Sequence, residues 1–143
     1  MSFIISTDRS QLDLPMLHSF LTESYWSPGI PMGTVEKAIE NSLCFGAYDS
    51  DGKQVGFARV VTDKASFAYL ADVFVLPSYR GNGISKLLME AYSHHPDLQG
   101  LRRHMLATRD GHGLYKKFGF VPVPNPEILM QKHDPQVYKK IEE

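Results

Sequence analysis

The feature that most restricts the fold of this chain lies between residues 66 and 91. A long run rich in aromatic and β-branched side chains, residues 66–76, stops at Pro77. The turn Ser78-Tyr79-Arg80-Gly81-Asn82-Gly83 follows, and Ile84, Leu87, Leu88 and Ala91 then recur at helical spacing. The order is strand, glycine turn, helix N-terminus. Such a strand is expected to be buried on both faces, near the centre of a sheet with helices packed on it. Glycines at 81 and 83 allow main-chain N–H groups to approach an anion closely. The first helical turn has N–H groups without intrahelical acceptors, and the helix dipole adds about half a positive charge. Arg80 brings a full charge and several donors. Arg80, Gly81, Asn82, Gly83, Ile84 and Ser85 therefore form a candidate phosphate-binding turn. The dinucleotide fingerprint wants a third glycine where Lys86 stands, and the P-loop pattern fits no better. Taken alone, the same residues also suit a plain glycine reversal beside a surface arginine.

The rest of the chain supplies the partners of that strand. Residues 3–6 read as a first strand, and Asp8 or Ser10 as the cap of a helix carrying Leu14, Leu17, His18 and Leu21. An aromatic loop with Pro28, Gly29 and Pro31 leads to a second helix, with Thr34 as its cap and Val35, Ala38 and Ile39 inward. Residues 43–48 and 54–62 flank an Asp51-Gly52 turn and read as a hairpin. The strand at 66–76 is the fourth. After the central helix, which ends near His94-His95-Pro96, the pattern predicts a fifth strand over 101–108, a short helix over 113–118, and two last strands over 120–123 and 128–131. The expectation is one α/β domain over residues 1–143, with a mixed parallel and antiparallel sheet of about seven strands flanked by about four helices.

Composition narrows the function classes. A net charge of −1, with no run of five like charges, does not suggest nucleic acid or a membrane surface as partner. The single cysteine, Cys44, sits in an apolar run and reads as a buried reduced thiol. No stretch approaches the roughly 18 apolar residues of a membrane span, and a cytoplasmic location is expected. The six histidines show no metal-ligand spacing, so no metal is expected. Nothing in the sequence fixes an oligomeric state, and a homodimer is open to it.

The segment Val75-Leu76-Pro77-Ser78-Tyr79-Arg80-Gly81-Asn82-Gly83-Ile84-Ser85 resembles the central motif of the GNAT superfamily of acyl-CoA-dependent N-acetyltransferases, which carry Arg/Gln-x-x-Gly-x-Gly/Ala at this turn. Arg80 and Gly83 match, and Ser85 replaces the usual Gly or Ala. A second match, Gly113-Leu114-Tyr115-Lys116-Lys117-Phe118-Gly119-Phe120, follows at the family's usual distance. The resemblance implies fourth and fifth strands that splay apart. It also implies acetyl-CoA as co-substrate, its pantetheine arm bonded to main-chain groups of Phe74, Val75 and Leu76. Where the family often has an asparagine, this chain has Thr108-Arg109-Asp110, and no role carries over there.

Acetyl transfer to an amine needs a neutral nucleophile, a stabilised oxyanion and a proton for the departing thiolate. By resemblance the Val75 N–H serves the oxyanion, and Tyr115 protonates the thiolate. A tyrosine packed on the core for its ring alone is the alternative. Asp72 is a carboxylate inside an apolar run, where an unpaired charge is costly. It reads either as a contact for the amine and its proton, or as an ion pair with Arg59 or Arg102. The surrounding Leu70-Ala71-Asp72-Val73-Phe74-Val75 resembles the family's polyamine-acetylating branch around an acidic pair, with Ala71 in place of the first acid. His112, three residues before Tyr115, is a reserve base. Glu23, Tyr25 and Trp26 stand where the family builds its acceptor pocket, although the two aromatics could equally close the core. The acceptor expected is a small-molecule primary amine; a protein N-acetyltransferase, or a non-catalytic CoA-sensing or protein-interaction module of the same fold, is the competing class.

Overall fold

The computed structural model describes residues 2–142. In chain order its elements are β1 (Ile4–Ser6), α1 (Leu14–Thr22), α2 (Met32–Glu40), β2 (Leu43–Tyr48), β3 (Gln54–Thr62), β4 (Phe67–Val75), α3 (Ile84–His94), β5 (Arg103–Leu106), α4 (His112–Lys116) and α5 (Val137–Glu142). One sheet has the order β1-β2-β3-β4-β5; its first three pairings are antiparallel, and β4 pairs with β5 in parallel. The parallel pair needs a crossover, which α3 provides. The hairpin between β2 and β3 closes on local chemistry. The Asp49 carboxylate accepts from the N–H groups of Asp51 and Lys53, and Gly52 takes a φ of 82° that other residues adopt only with strain.

Side-chain alternation sends the sheet's apolar residues to two layers. On one face Phe45, Val60 and Leu70 pack with Ile84, Leu88 and Met89 of α3. On the other, Cys44, Phe57 and Phe74 meet Leu17 and Leu21 of α1 and Val35 and Ile39 of α2. Each such side chain contributes about 1.5–3 kcal/mol on burial, and these two layers form the core of the domain. Cys44 is 2% exposed, and burial pushes its thiol pKa up to about 11, against the smaller opposing pull of Arg59 and Arg9.

Several expectations need correction. The described sheet has five strands rather than seven, because residues 120–123 and 128–131 form none. Pro122, Pro124 and Pro126 alternate, so an extended chain there would lack N–H donors along one edge. The helices number five among the described residues rather than four, the addition being α5, which follows Asp134-Pro135. Asp8 caps a short 3-10 turn, whereas Asp13 caps α1 by accepting from the Met16 N–H. Thr34 lies inside α2, which starts after Pro31. The beginning of β4 is not buried on both faces: Phe67 and Tyr69 are exposed.

One irregularity positions the site. Phe57 faces Phe74 and Arg59 faces Ala71, so β4 takes three steps where β3 takes two. That extra residue is a β-bulge, and within it Asp72 adopts a left-handed φ of 51°. Aspartate tolerates this region better than most residues, and such outliers gather at functional sites.

Candidate active site

Pairing of β4 with β5 ends at Leu70 opposite Leu106, while β4 runs on through the bulge to Val75. Beyond that point the two strands part, and a cleft of about 1320 Å³ opens between them. Main-chain directions along its β4 wall follow from one hydrogen bond. The Leu76 N–H donates to the Val55 carbonyl at 2.9 Å, so Leu76 faces β3. Its carbonyl is also engaged, accepting from the Tyr79 N–H. Strand alternation then turns Phe74 toward β3 and Val75 away from it, into the cleft. Of the three residues expected to offer main-chain groups to a pantetheine arm, Val75 is the one whose N–H faces the opening. Its carbonyl already accepts from Arg80 Nε at 3.2 Å.

At one end of the cleft stands the glycine turn. Gly81 and Gly83 have φ of 84° and 77°, and the space a Cβ would fill at each is open. Helix α3 begins at Gly83 without any side-chain cap, and its first backbone bond, Leu87 N–H to Gly83 carbonyl, leaves the N–H groups of Ile84, Ser85 and Lys86 without intrahelical acceptors. Asn82 turns its amide back to the Tyr79 carbonyl and so fixes the loop instead of capping the helix. Arg80 and Ser85 line the cleft. A turn with two unobstructed left-handed glycines before an uncapped helix N-terminus fits a diphosphate.

Tyr115 of α4 lines the same cleft from the β5 side. Its ring lies against Gly111, where a Cβ would come within 2.8 Å of it, and edge-on to Phe120. The Thr108 hydroxyl accepts from the Gly111 N–H and anchors the start of that helix. Burial raises the Tyr115 pKa above the ordinary phenol value, and the nearby Tyr25 and Asp110 push it further the same way. The phenol therefore keeps its proton throughout the neutral range.

The remaining wall is built from side chains. Asp72 accepts from Trp26 Nε1 on one oxygen and from Arg59 Nε on the other, both at 2.7 Å. Arg59 continues to the Ser42 hydroxyl. The ion pair read from the sequence as one role for Asp72 is thus present, with Arg59 rather than Arg102 as partner. Trp26 stands at an edge-on angle to Tyr25 and near Phe20, which stacks flat on Phe74 at 3.8 Å. Glu23, Tyr25 and Trp26 all line the cleft, whereas His112 is exposed at the first position of α4 and is not among the lining residues. One residue that sequence reasoning passed over also lines it. The Arg109 guanidinium lies 3.7 Å from the centre of the Tyr25 ring. Its position in the motif, where an asparagine is more usual, was the available signal.

A mixed α/β sheet with a parted parallel pair, a glycine turn before an uncapped helix and a tyrosine lining the gap together define the architecture of this domain. The chain belongs to the GNAT acetyltransferases: residues 40–122 match the acetyltransferase (GNAT) domain. A solved GNAT-family protein from Xanthomonas campestris pv. campestris, assigned as an acetyltransferase by family, is 52% identical, superposes with a TM-score of 0.93, and is covered over 97% of its length by 96% of this chain. The Gibberella zeae protein FG08082, named an acetyltransferase on the same kind of assignment, is 29% identical over 80% of this chain and 76% of its own. An uncharacterised ycf52-like N-acetyltransferase of Prochlorococcus marinus is 34% identical over 77% of this chain, which spans 62% of that relative's length. The ribosomal-protein-S18-alanine N-acetyltransferase of Escherichia coli, 23% identical with a TM-score of 0.67 over 82% of this chain and 77% of its own, shares the fold.

Proposed function

We propose that this protein transfers the acetyl group of acetyl-CoA to a primary amine, by direct attack within a ternary complex. The observation that carries the reading is the convergence on one cleft of the glycine turn, the Val75 N–H and the Tyr115 hydroxyl. Acetyl-CoA, when bound, supplies an activated acetyl thioester. The turn from Arg80 to Ser85 binds its diphosphate through main-chain donors and the Arg80 charge. The Val75 N–H donates to the carbonyl oxygen as that oxygen gains negative charge, and one such donor is worth about 3 kcal/mol. As nitrogen bonds to the carbonyl carbon and the carbon–sulfur bond breaks, Tyr115 delivers its proton to the sulfur. The proton shed by the amine leaves to water or to a carboxylate of the cleft. Asp72 has about four lone-pair sites, of which Trp26 and Arg59 take two, so it retains capacity for an ammonium contact.

Isothermal titration calorimetry with acetyl-CoA, followed by a thiol-release assay over an amine panel, tests this reading. Saturable binding together with acceptor-dependent thiol release is the expected result. Binding without release under any acceptor would instead make the protein a CoA-sensing module.

A further inference from the structure

Across the cleft from the glycine turn stands an exposed cation, Arg109, that has no ion-pair partner among the described residues. Arg59 and Arg109 both line the cleft, but Arg59 is paired with Asp72 at 2.7 Å. Among the described residues no carboxylate oxygen lies within 4.0 Å of Arg109, and no hydrogen bond engages its guanidinium. What Arg109 has is a platform: its guanidinium stacks on the Tyr25 ring at 3.7 Å. A guanidinium held by its face keeps its N–H edge free, and that edge matches two oxygens of a carboxylate or phosphate. The platform is itself secured, because Tyr25 packs against Trp26, whose indole N–H is fixed on Asp72. Arg109 comes from the loop after β5 and Tyr25 from the loop after α1, so their contact joins the two walls of the cleft. Arg109 stands two residues before Gly111, against which the Tyr115 ring packs, so this contact lies on the Tyr115 side of the cleft.

We infer that the acceptor is an amine that also carries an anionic group, a carboxylate or a phosphate, and that Arg109 binds this group as a specificity-determining residue. The inference rests on the acetyl-transfer reading and deepens it. Glu23 and Asp110, exposed at the same cleft, supply the opposite sign, so the acceptor end presents both charges, as a zwitterion requires. A polyamine, with no anionic group to offer, leaves Arg109 unmatched and is repelled by it. The stacked Phe20 and Phe74 beside this end suit an apolar portion between the charges.

Matched acceptors test the inference in thiol-release kinetics: phenylalanine against 2-phenylethylamine, and O-phosphoethanolamine against ethanolamine. The anionic member of at least one pair is expected to show kcat/KM at least about tenfold higher, since a charge-assisted bond contributes roughly 1.5–3 kcal/mol. The pair that shows the preference tells carboxylate from phosphate. Arg109→Ala should raise KM for that member by at least about tenfold and for its neutral counterpart by clearly less, with acetyl-CoA affinity kept; Arg109→Lys should restore part of the loss. Equal or better turnover of the neutral members overturns the inference, as does an Arg109→Ala effect on acetyl-CoA affinity in place of acceptor KM. Binding of acetyl-CoA with no turnover of any anionic acceptor overturns it too, and leaves the cofactor reading standing. Failure to bind acetyl-CoA at all removes both.

Discussion

The two ends of the cleft are made of different material. At the end proposed for the diphosphate the available groups are main-chain N–H donors, placed by two left-handed glycines and by the uncapped start of α3. At the acceptor end they are side chains, Tyr25, Trp26, Asp72 and Arg109, which come from three separate segments and hold one another by stacking and hydrogen bonds. A main-chain cradle recognises a shape and a charge common to every CoA thioester. A side-chain cluster can be rebuilt residue by residue for a new amine without disturbing the cradle. On the proposed reading, the contrast makes cofactor and acceptor recognition separable, and substitutions can test the separation.

The largest effect is expected at Gly83. Gly83→Glu places a Cβ at a φ of 77° and a carboxylate where the diphosphate should sit, so acetyl-CoA affinity should fall at least about 100-fold in calorimetry while thermal melting shows a folded domain. Undiminished binding would remove the cradle from the account. Next comes Tyr115→Phe, which should retain acetyl-CoA affinity and lose at least about tenfold in single-turnover rate. Because the Tyr115 pKa is raised, the wild-type rate should lose this acid only as pH climbs beyond the ordinary phenol value near 10, and the variant should lack that alkaline limb. An unchanged single-turnover rate would reduce Tyr115 to a packing role. The smallest effect is expected from Asp72→Asn. Asparagine tolerates the left-handed backbone and can still accept from Trp26, but the charge opposite Arg59 is lost, so chemical denaturation should show a stability lower by about 1–3 kcal/mol. A loss of acetyl-CoA affinity in this variant would break the division between the two ends.

The same contrast explains what could be read from the sequence. The phosphate turn is local: six consecutive residues specify its glycines, its arginine and the helix start, and the strand before it is marked by composition. The hairpin of β2 and β3 and the helix α3 were equally legible, because side-chain periodicity and an Asp-Gly turn lie within single windows. The acceptor end is not local. Tyr25, Asp72 and Arg109 meet only after the sheet forms, and no spacing in the chain announces their contact. The bulge was likewise hidden: Asp72 stood out in the apolar run as a charge, but nothing in the run shows that an extra residue there reverses which main-chain groups face the gap. Residues 120–131 misled in the opposite direction. Their valines, isoleucine and leucine read as strands, but Pro122, Pro124 and Pro126 strip the first part of that segment of the donors a ladder needs, and in the second part Met130 ends 97% exposed.

Cys44, packed between the sheet and the α1/α2 layer, has a practical corollary. Disulfide-exchange reagents attack through a thiolate, and this sulfur is both shielded and protonated up to about pH 11. The folded protein should therefore add no colour of its own at neutral pH, so a thiol-release assay needs no correction for the enzyme.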